Sequence, residues 1–72
     1  MAQKAIQTDL LGQQVKVLKD LKILGSGKLH EAAGKTGAIR NVYYDQEGEL
    51  KYTIQIFDTG RLVELYPHTF LI

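Results

Sequence analysis

Gly34, Lys35 and Thr36 are the residue types that close a phosphate-binding loop, so they are the first candidates for chemistry. Such a loop has the pattern G-x-x-x-x-G-K-[ST], and the helix that follows it holds the phosphate at its N-terminus. Here Leu29 takes the place of the first glycine, and the residues after Thr36 are rich in β-branched and aromatic types. A chain of 72 residues is also too short for the βαβ sheet behind such a loop. We interpret Gly34 and Gly37 as a turn that leads into a strand.

The remaining polar residues show no pattern of an active site or a metal site. The two histidines, His30 and His68, stand alone and there is no cysteine, whereas zinc takes three or four ligands in a cluster. Glu47, Glu49 and Glu64 are of a type that performs acid–base catalysis, but we expect them to be solvated strand and turn residues. The sequence therefore predicts a protein that is not an enzyme and uses neither a metal nor a cofactor.

The composition predicts one small domain with a limited core. A chain of 72 residues buries only roughly 60% of its unfolded surface. Because no disulfide can support the fold, the 44% of apolar residues must fill the core or be shared with a partner. No apolar run approaches the ~20 residues that cross a bilayer, and residues 1–14 lack the apolar region of a signal peptide. We therefore expect a cytoplasmic protein without a membrane partner.

Hydrophobic alternation predicts an all-β fold of about five strands. Residues 1–11 are expected to form an arm or a helical turn around residues 8–11, ahead of a single domain over residues 12–72. Pro67 ends the fourth strand because it has no N–H to donate to a ladder. The expected strands, and the closing segment with its helical turn and short last strand, are residues 14–18, 38–44, 50–56, 61–66 and 68–72.

Turn chemistry predicts the register of the first long hairpin. A three-residue loop that closes at Gly48 places Tyr44 opposite Leu50 and Val42 opposite Tyr52. A two-residue loop would instead bring polar residues opposite apolar ones. Since a slip of one residue turns every side chain to the other face, we expect the three-residue loop.

The second hairpin is predicted by the same argument. A two-residue loop at residues 59–60 places Ile56 opposite Val63 and Ile54 opposite Leu65. A three-residue loop would mix the two faces, so we expect the two-residue loop.

The predicted core follows from these registers. The second strand must contain a bulge near residues 40–41, because Ile39 and Val42 can otherwise not both face inward. The residues expected to face inward are Val15, Val17, Ile39, Val42, Tyr44, Tyr52, Ile54, Ile56, Val63 and Leu65.

Three motifs resemble those of a known family. Residues 34–42, GKTGAIRNV, resemble the G-x-x-G-x-I-x-x-V entry of SH3-like small barrels of the KOW and Tudor type. Residues 12–17, GQQVKV, are similar to the G-x-x-V-x-V opening strand of those barrels, and residues 52–60, YTIQIFDTG, to their Y-x-V-x-F-x-x-G hairpin. The resemblance covers residues 12–72 and implies a five-stranded SH3-like barrel with a long loop after its first strand. It also implies a non-catalytic binding module, the usual role in this superfamily.

The expected function is binding of a partner protein or of a second copy of the chain. An apolar patch on the outward face of the hairpins is predicted to make the contact. Alternatively, the N-terminal arm, with apolar residues 6, 10 and 11, covers this patch within the monomer. A small barrel of this kind also suits the product of a phage or mobile element that binds a host protein. The predicted patch consists of Tyr43, Phe57, Leu62 and Tyr66.

Nucleic-acid binding is the alternative function, in the manner of a KOW-like or Sm-like barrel. The net charge is only +1, but residues 1–40 carry a net charge of +4 and residues 41–72 a net charge of −3. The long loop, residues 21–35, is expected to be mobile or irregular, and loops of this kind often carry binding. Weak, salt-sensitive affinity for anionic partners is expected at most, and scattered lysines on exposed strands would look the same. The basic surroundings of this loop are Lys16, Lys22, Lys28, Lys35 and Arg40.

A minor alternative comes from a second resemblance. Residues 63–67, VELYP, resemble the V-Q-I-Y-P stretch of the type II dihydrofolate reductases, SH3-like barrels that assemble as tetramers around a shared pore. In that family the glutamine and the tyrosine of the stretch line the pore. Here Glu64 replaces the neutral glutamine, and the chain contains no tryptophan. This substitution places a charge where the family presents an amide to its ligands.

Overall fold

The protein is described by a computed structural model over residues 10–72. Five strands form one antiparallel sheet in the order β4-β3-β2-β1-β5, and a 3₁₀ turn, Pro67–Thr69, connects β4 to β5. The all-β prediction is confirmed. Closure into a barrel stays a prediction, because the sheet pairings of the described residues leave β4 and β5 as its two edges. The strands are β1 (Gln14–Val17), β2 (Thr36–Tyr44), β3 (Leu50–Ile56), β4 (Leu62–Leu65) and β5 (Phe70–Leu71).

The predicted N-terminal arm lies mostly outside the described residues. Leu10 is the last residue of a 3₁₀ turn, and its carbonyl accepts a hydrogen bond of 2.9 Å from the amide of Gln13. Gly12 follows with φ of +86°, a value that favours glycine. Leu10 is half-buried and packs against the core. Of the other two apolar residues of the arm, Leu11 is exposed and residue 6 lies outside the described residues.

The β2–β3 hairpin has the predicted register. Tyr44 lies opposite Leu50 and Val42 opposite Tyr52, and the ladder is irregular between Ile39 and Asn41, where the bulge was expected. The loop then closes through a backbone hydrogen bond of 2.9 Å, from the amide of residue 45 to the carbonyl of residue 49. These predictions are confirmed.

The predicted register of the β3–β4 hairpin is wrong by two residues. Ile54 lies opposite Val63, not Leu65, and the amide of Ile56 donates to the carbonyl of Arg61 at 2.9 Å. The loop therefore consists of residues 57–60, not of residues 59–60 alone. A shift of two residues leaves every side chain on its expected face, so alternation cannot distinguish the two registers.

The core contains the predicted inward-facing residues with one exception. Tyr44 is 42% exposed, because it lies at the hairpin end of β2, beyond Ala38, the last residue of β2 in the β1 ladder. Two apolar residues that were not predicted are buried as well, namely Ala32 in the loop and Phe70 on β5. The ring of Phe70 meets that of Tyr52 edge to face, with centroids 5.2 Å apart.

The segment between β1 and β2 is more regular than predicted. Lys22 forms a bridge with Leu29, and the amide of Ile23 donates to the carbonyl of Lys28 at 2.8 Å. Residues 21–30 thus form a small hairpin, which we call the finger. A turn over residues 31–34 then returns the chain to β2.

Gly34 ends this return turn, as predicted, whereas Gly37, which was expected to belong to the turn, lies within β2. Gly34 has φ of +75°, and its amide donates to the carbonyl of Leu18 at 3.1 Å. Gly37 is required for a different reason, since a β-carbon there would lie 2.4 Å from the carbonyl oxygen of Gln55. The Gly-Lys-Thr stretch therefore enters a strand and does not open a helix.

Candidate protein-binding site

The structure divides the predicted outer patch into two groups. Tyr43 on β2 lies opposite Lys51 on β3, and the Lys51 ammonium lies 5.1 Å from the centroid of the Tyr66 ring. Leu62 lies opposite Gln55, near the other end of the hairpin. Leu62 and Tyr66 are four residues apart, which is about 13 Å along an extended strand.

Phe57 belongs with Leu62 in the second group. It lies in the loop after β3, where its amide donates to the carbonyl of Thr36 at 3.0 Å. Phe57 and Leu62 are both largely exposed. Glu64 separates this pair from Tyr66 along β4, so the four predicted residues do not form one continuous apolar patch.

The group around Tyr43 is polar. A hydrogen bond to the Glu64 carboxylate is the main cause that raises the pKa of Tyr43 to about 12, and the charge of Glu64 acts in the same direction. The Tyr66 ring stacks on His68 with centroids 5.9 Å apart. A shallow groove of about 430 Å³ borders this group, lined by tyrosine, carboxylate and amide side chains together with Lys51. Its chemistry is that of a polar surface.

The five predicted basic residues do not form one cluster. Lys35 is paired with Asp58, at 2.7 Å between Nζ and Oδ2, and this pairing lowers the pKa of Asp58. Lys22 and Lys28 belong to the finger, Lys16 lies on β1, and Arg40 lies at the bulge of β2. One cation is therefore neutralised and the other four are spread over three elements.

A mostly apolar groove that was not predicted lies between the finger and β4. Its volume is about 410 Å³, and finger residues form one wall while the end of β4 and the 3₁₀ turn form the other. Tyr66 is the only member of the predicted patch that lines it. Its apolar and aromatic lining includes Leu21, Ile23, Leu24, Leu65, Tyr66 and His68.

The tip of the finger presents aliphatic side chains to solvent. Leu24 is 99% exposed, and Ile23 and Leu29 are 45% and 57% exposed. The tip is nonetheless an ordered turn, in which Gly25 and Gly27 have positive φ and the amide of Ser26 donates to the carbonyl of Ile23 at 3.1 Å. The signal in the sequence was an aliphatic pair directly before a glycine-rich turn, where a solvated turn would carry polar residues.

The edge of β4 borders this groove at Glu64. The hydrogen bond between Ile56 and Arg61 shows that the main-chain groups of Arg61 point toward β3. Because these directions alternate along an antiparallel strand, the N–H and C=O groups of Leu62 and Glu64 point away from β3. Within residues 10–72 they have no backbone partner.

Two further findings bear on chemistry and ancestry. Within the described part of the chain, no three His, Asp or Glu side chains are grouped so that they could hold a metal ion, and no helix is long and apolar enough to cross a membrane. No protein-family model, curated protein or solved structure matches the chain. The resemblance to SH3-like barrels therefore stays a prediction, and any function is argued from the geometry.

Proposed function

We propose that this protein is a non-catalytic module that binds a partner protein through the finger and the groove beside it. The observation that carries the proposal is the exposure of Leu24, Ile23 and Leu29 on an ordered hairpin. A buried aliphatic side chain contributes roughly 1.5–3 kcal/mol relative to an exposed one. Leu24 buries almost none of its surface in the isolated domain, and Ile23 and Leu29 leave about half of theirs exposed. The exposed part gains that energy only when another surface covers it.

The groove complements the finger tip. Leu21 and Leu65 provide aliphatic walls, while Tyr66 and His68 provide a stacked aromatic wall. A volume of about 410 Å³ lies in the range of sites that take up a few side chains. An apolar pocket beside an exposed apolar tip suits a partner that buries both together.

The proposed binding surface overlaps the predicted patch only at Tyr66. Tyr66 belongs to both the predicted patch and the groove, whereas Phe57 and Leu62 lie near the other end of the hairpin. Binding of nucleic acid has less support, because Lys35 is paired and the other basic residues are spread over separate elements.

The test uses peptides selected from a random library displayed on phage, with the full chain as bait. Replacement of both Ile23 and Leu24 by serine is expected to weaken binding of the selected peptides by about tenfold or more, since every 1.4 kcal/mol lost is a factor of ten. Phe57→Ser is the matched control, because Phe57 is 59% exposed but neither lines the groove nor belongs to β4. Its affinity should remain within about twofold of that of the unaltered protein.

Two results would contradict the proposal. One is a selection that enriches no peptide above an unrelated bait. The other is a loss of affinity in Phe57→Ser and not in the finger variant, which would return the site to the patch around Phe57. If the partner is a second copy, the protein alone will sediment as a dimer and the finger variant as a monomer.

A further inference from the structure

We propose that the partner contributes an extended segment, which adds as a further strand to the edge of β4 that is unpaired within residues 10–72. This inference rests on the proposed function and specifies the form in which the partner is bound. An apolar groove by itself accepts side chains presented by any backbone. Unpaired main-chain groups along its wall select an extended backbone that brings its own N–H and C=O groups.

The edge of β4 offers those groups in the right arrangement. Leu62 and Glu64 each present an N–H and a C=O away from β3, and both residues are exposed. Donor and acceptor groups that repeat at every second residue match the pairing of one antiparallel or parallel strand. The 3₁₀ turn that begins at Pro67 ends the edge, because proline has no N–H to continue a ladder. The added segment should therefore span about four or five residues, matching the length of β4.

The surroundings of the edge admit a single strand more easily than a folded domain. The finger forms the far wall of the groove. Next to the start of β4, the Glu31 carboxylate of the return turn lies 3.3 Å from the Arg61 guanidinium. A second copy that pairs through its own β4 would bring its own finger and return turn to the same edge. Shielding of this kind is one way in which proteins keep an edge strand from self-pairing.

The groove also predicts the side-chain pattern of the segment. Successive side chains of an added strand point to opposite faces of the sheet. On the core side they meet Leu65 and Leu21, whereas on the outer side they meet Glu64. The preferred segment therefore alternates apolar and polar residues.

The first experiment removes the main-chain donor and leaves the groove. Glu64→Pro deletes an N–H that points away from β3, a position where edge strands accept proline. The control variant is Glu64→Ala, which loses the same carboxylate but keeps the main-chain N–H. Peptides selected on the unaltered protein should bind Glu64→Pro at least about tenfold more weakly than Glu64→Ala. Amide exchange in the two free variants confirms that both retain the β3 ladder.

The second experiment alters the peptide and so avoids any doubt about folding. Each backbone nitrogen of a selected peptide is methylated in turn. Only alternate N–H groups of an added strand point toward β4, so the affinity should fall at every second position. In the complex, hydrogen exchange of the Leu62 and Glu64 amides should slow by more than tenfold.

The outcomes separate this inference from the proposed function. If the finger variant loses binding while methylation shows no two-residue period and Glu64→Pro matches Glu64→Ala, the groove binds protein but not as a strand. If the finger variant binds normally, the proposed function itself fails. Protection of the Leu62 and Glu64 amides in a dimer of the protein alone would overturn the single added segment in favour of a second copy.

Discussion

The two hairpins that share β3 are held together in different ways. In the β2–β3 hairpin, the Asp45 carboxylate accepts the amides of Glu47 and Glu49 at 2.9 and 2.8 Å, and Gly48 has the positive φ that its tight turn requires. In the β3–β4 hairpin, Gly60 also has a positive φ and its amide donates to the carbonyl of Ile56 at 2.7 Å, while the Arg61 amide donates to the hydroxyl of Thr59 at 3.2 Å. A side-chain carboxylate that accepts two loop amides specifies the first register locally, whereas the choice of the second depends more on which inward-facing side chains of β4 pack best in the core.

The strongest test of this difference is Gly37→Ala, in the β2–β3 ladder. The new β-carbon would lie 2.4 Å from the carbonyl oxygen of Gln55 and 2.8 Å from the Cγ2 of Ile54. Because the first contact is with main chain, the two strands must separate locally, and the loss of unfolding free energy should be about 3 kcal/mol. Urea denaturation measures it, with Thr36→Ala as the control on the preceding residue. A loss below about 1 kcal/mol would show that the hairpin tolerates a change in strand spacing.

Pairs of introduced cysteines test the register of the β3–β4 hairpin, because the chain contains no cysteine of its own. Thr53 and Glu64 lie directly opposite each other, in a non-hydrogen-bonded pair whose Cα atoms are typically about 4.5 Å apart. Thr53→Cys with Glu64→Cys should therefore oxidise fully and stabilise the protein by at most ~3 kcal/mol.

Gln55→Cys with Glu64→Cys is the matched pair for the two-residue loop. In the observed register these positions are diagonal neighbours, roughly 7–8 Å apart, and should cross-link poorly. Thiol titration after mild oxidation gives the two yields. The reverse order of yields would restore the register that turn chemistry alone predicts.

Asp45→Ala should cost about 2 kcal/mol of unfolding free energy, because it removes two hydrogen bonds to a carboxylate and the Lys51 ammonium 3.9 Å away. Asp58→Ala, in the loop of the other hairpin, is the matched variant and should lower the stability clearly less, since Asp58 and Lys35 are solvated. Thermal unfolding of both variants at neutral pH compares the two loops. Equal losses would contradict the view that local chemistry specifies only the first.

The smallest effect concerns pH. The hydrogen bond and charge of Lys35 lower the pKa of Asp58 below its usual 3.8. The folded state thus binds this proton more weakly than the unfolded state, so the pair stabilises the protein above that pH. This contribution disappears as the pH falls through the lowered value.

Asp58→Asn measures this contribution. The variant should be slightly less stable than the unaltered protein at pH 7, and the difference should disappear as the pH falls through the lowered pKa of Asp58 and shrink at high salt. A difference that persists in acid would assign the effect to packing of the loop.

Local patterns were sufficient for a large part of the fold. The strict alternation of residues 50–56 predicted β3 with its observed bounds, and Gly48 together with the bulge at residues 40–41 predicted the longest ladder. In each case the residues that decide the geometry lie within a few positions of one another. By contrast, the comparison of loop lengths at Thr59 and Gly60 excluded registers of β4 that are shifted by one residue, because these turn its apolar side chains outward. It could not choose between two registers that differ by two residues, because both place the same side chains inward.

The candidate site was harder to predict because its parts are distant in the chain. The loop over residues 21–35 was expected to carry binding, yet nothing in its composition indicated that residues 21–30 form a hairpin beside β4. Tyr66 was expected in a patch with Phe57, and the register shift placed the two near opposite ends of the sheet. The position of the finger follows from packing between distant segments, such as that of Leu21 against the core.

The sequence by itself determined which side chains of β1 to β4 face the core, except at Tyr44, and how the β2–β3 hairpin turns, since both depend on alternation and on local hydrogen bonds. Only the tertiary structure decided the partner of each β4 residue, the exposure of Tyr44 and the meeting of the finger with a strand edge. The physical reason is that burial of apolar side chains stabilises every register that places the same strand faces inward. The choice among those arrangements is made by packing between segments that the chain brings together only when it folds.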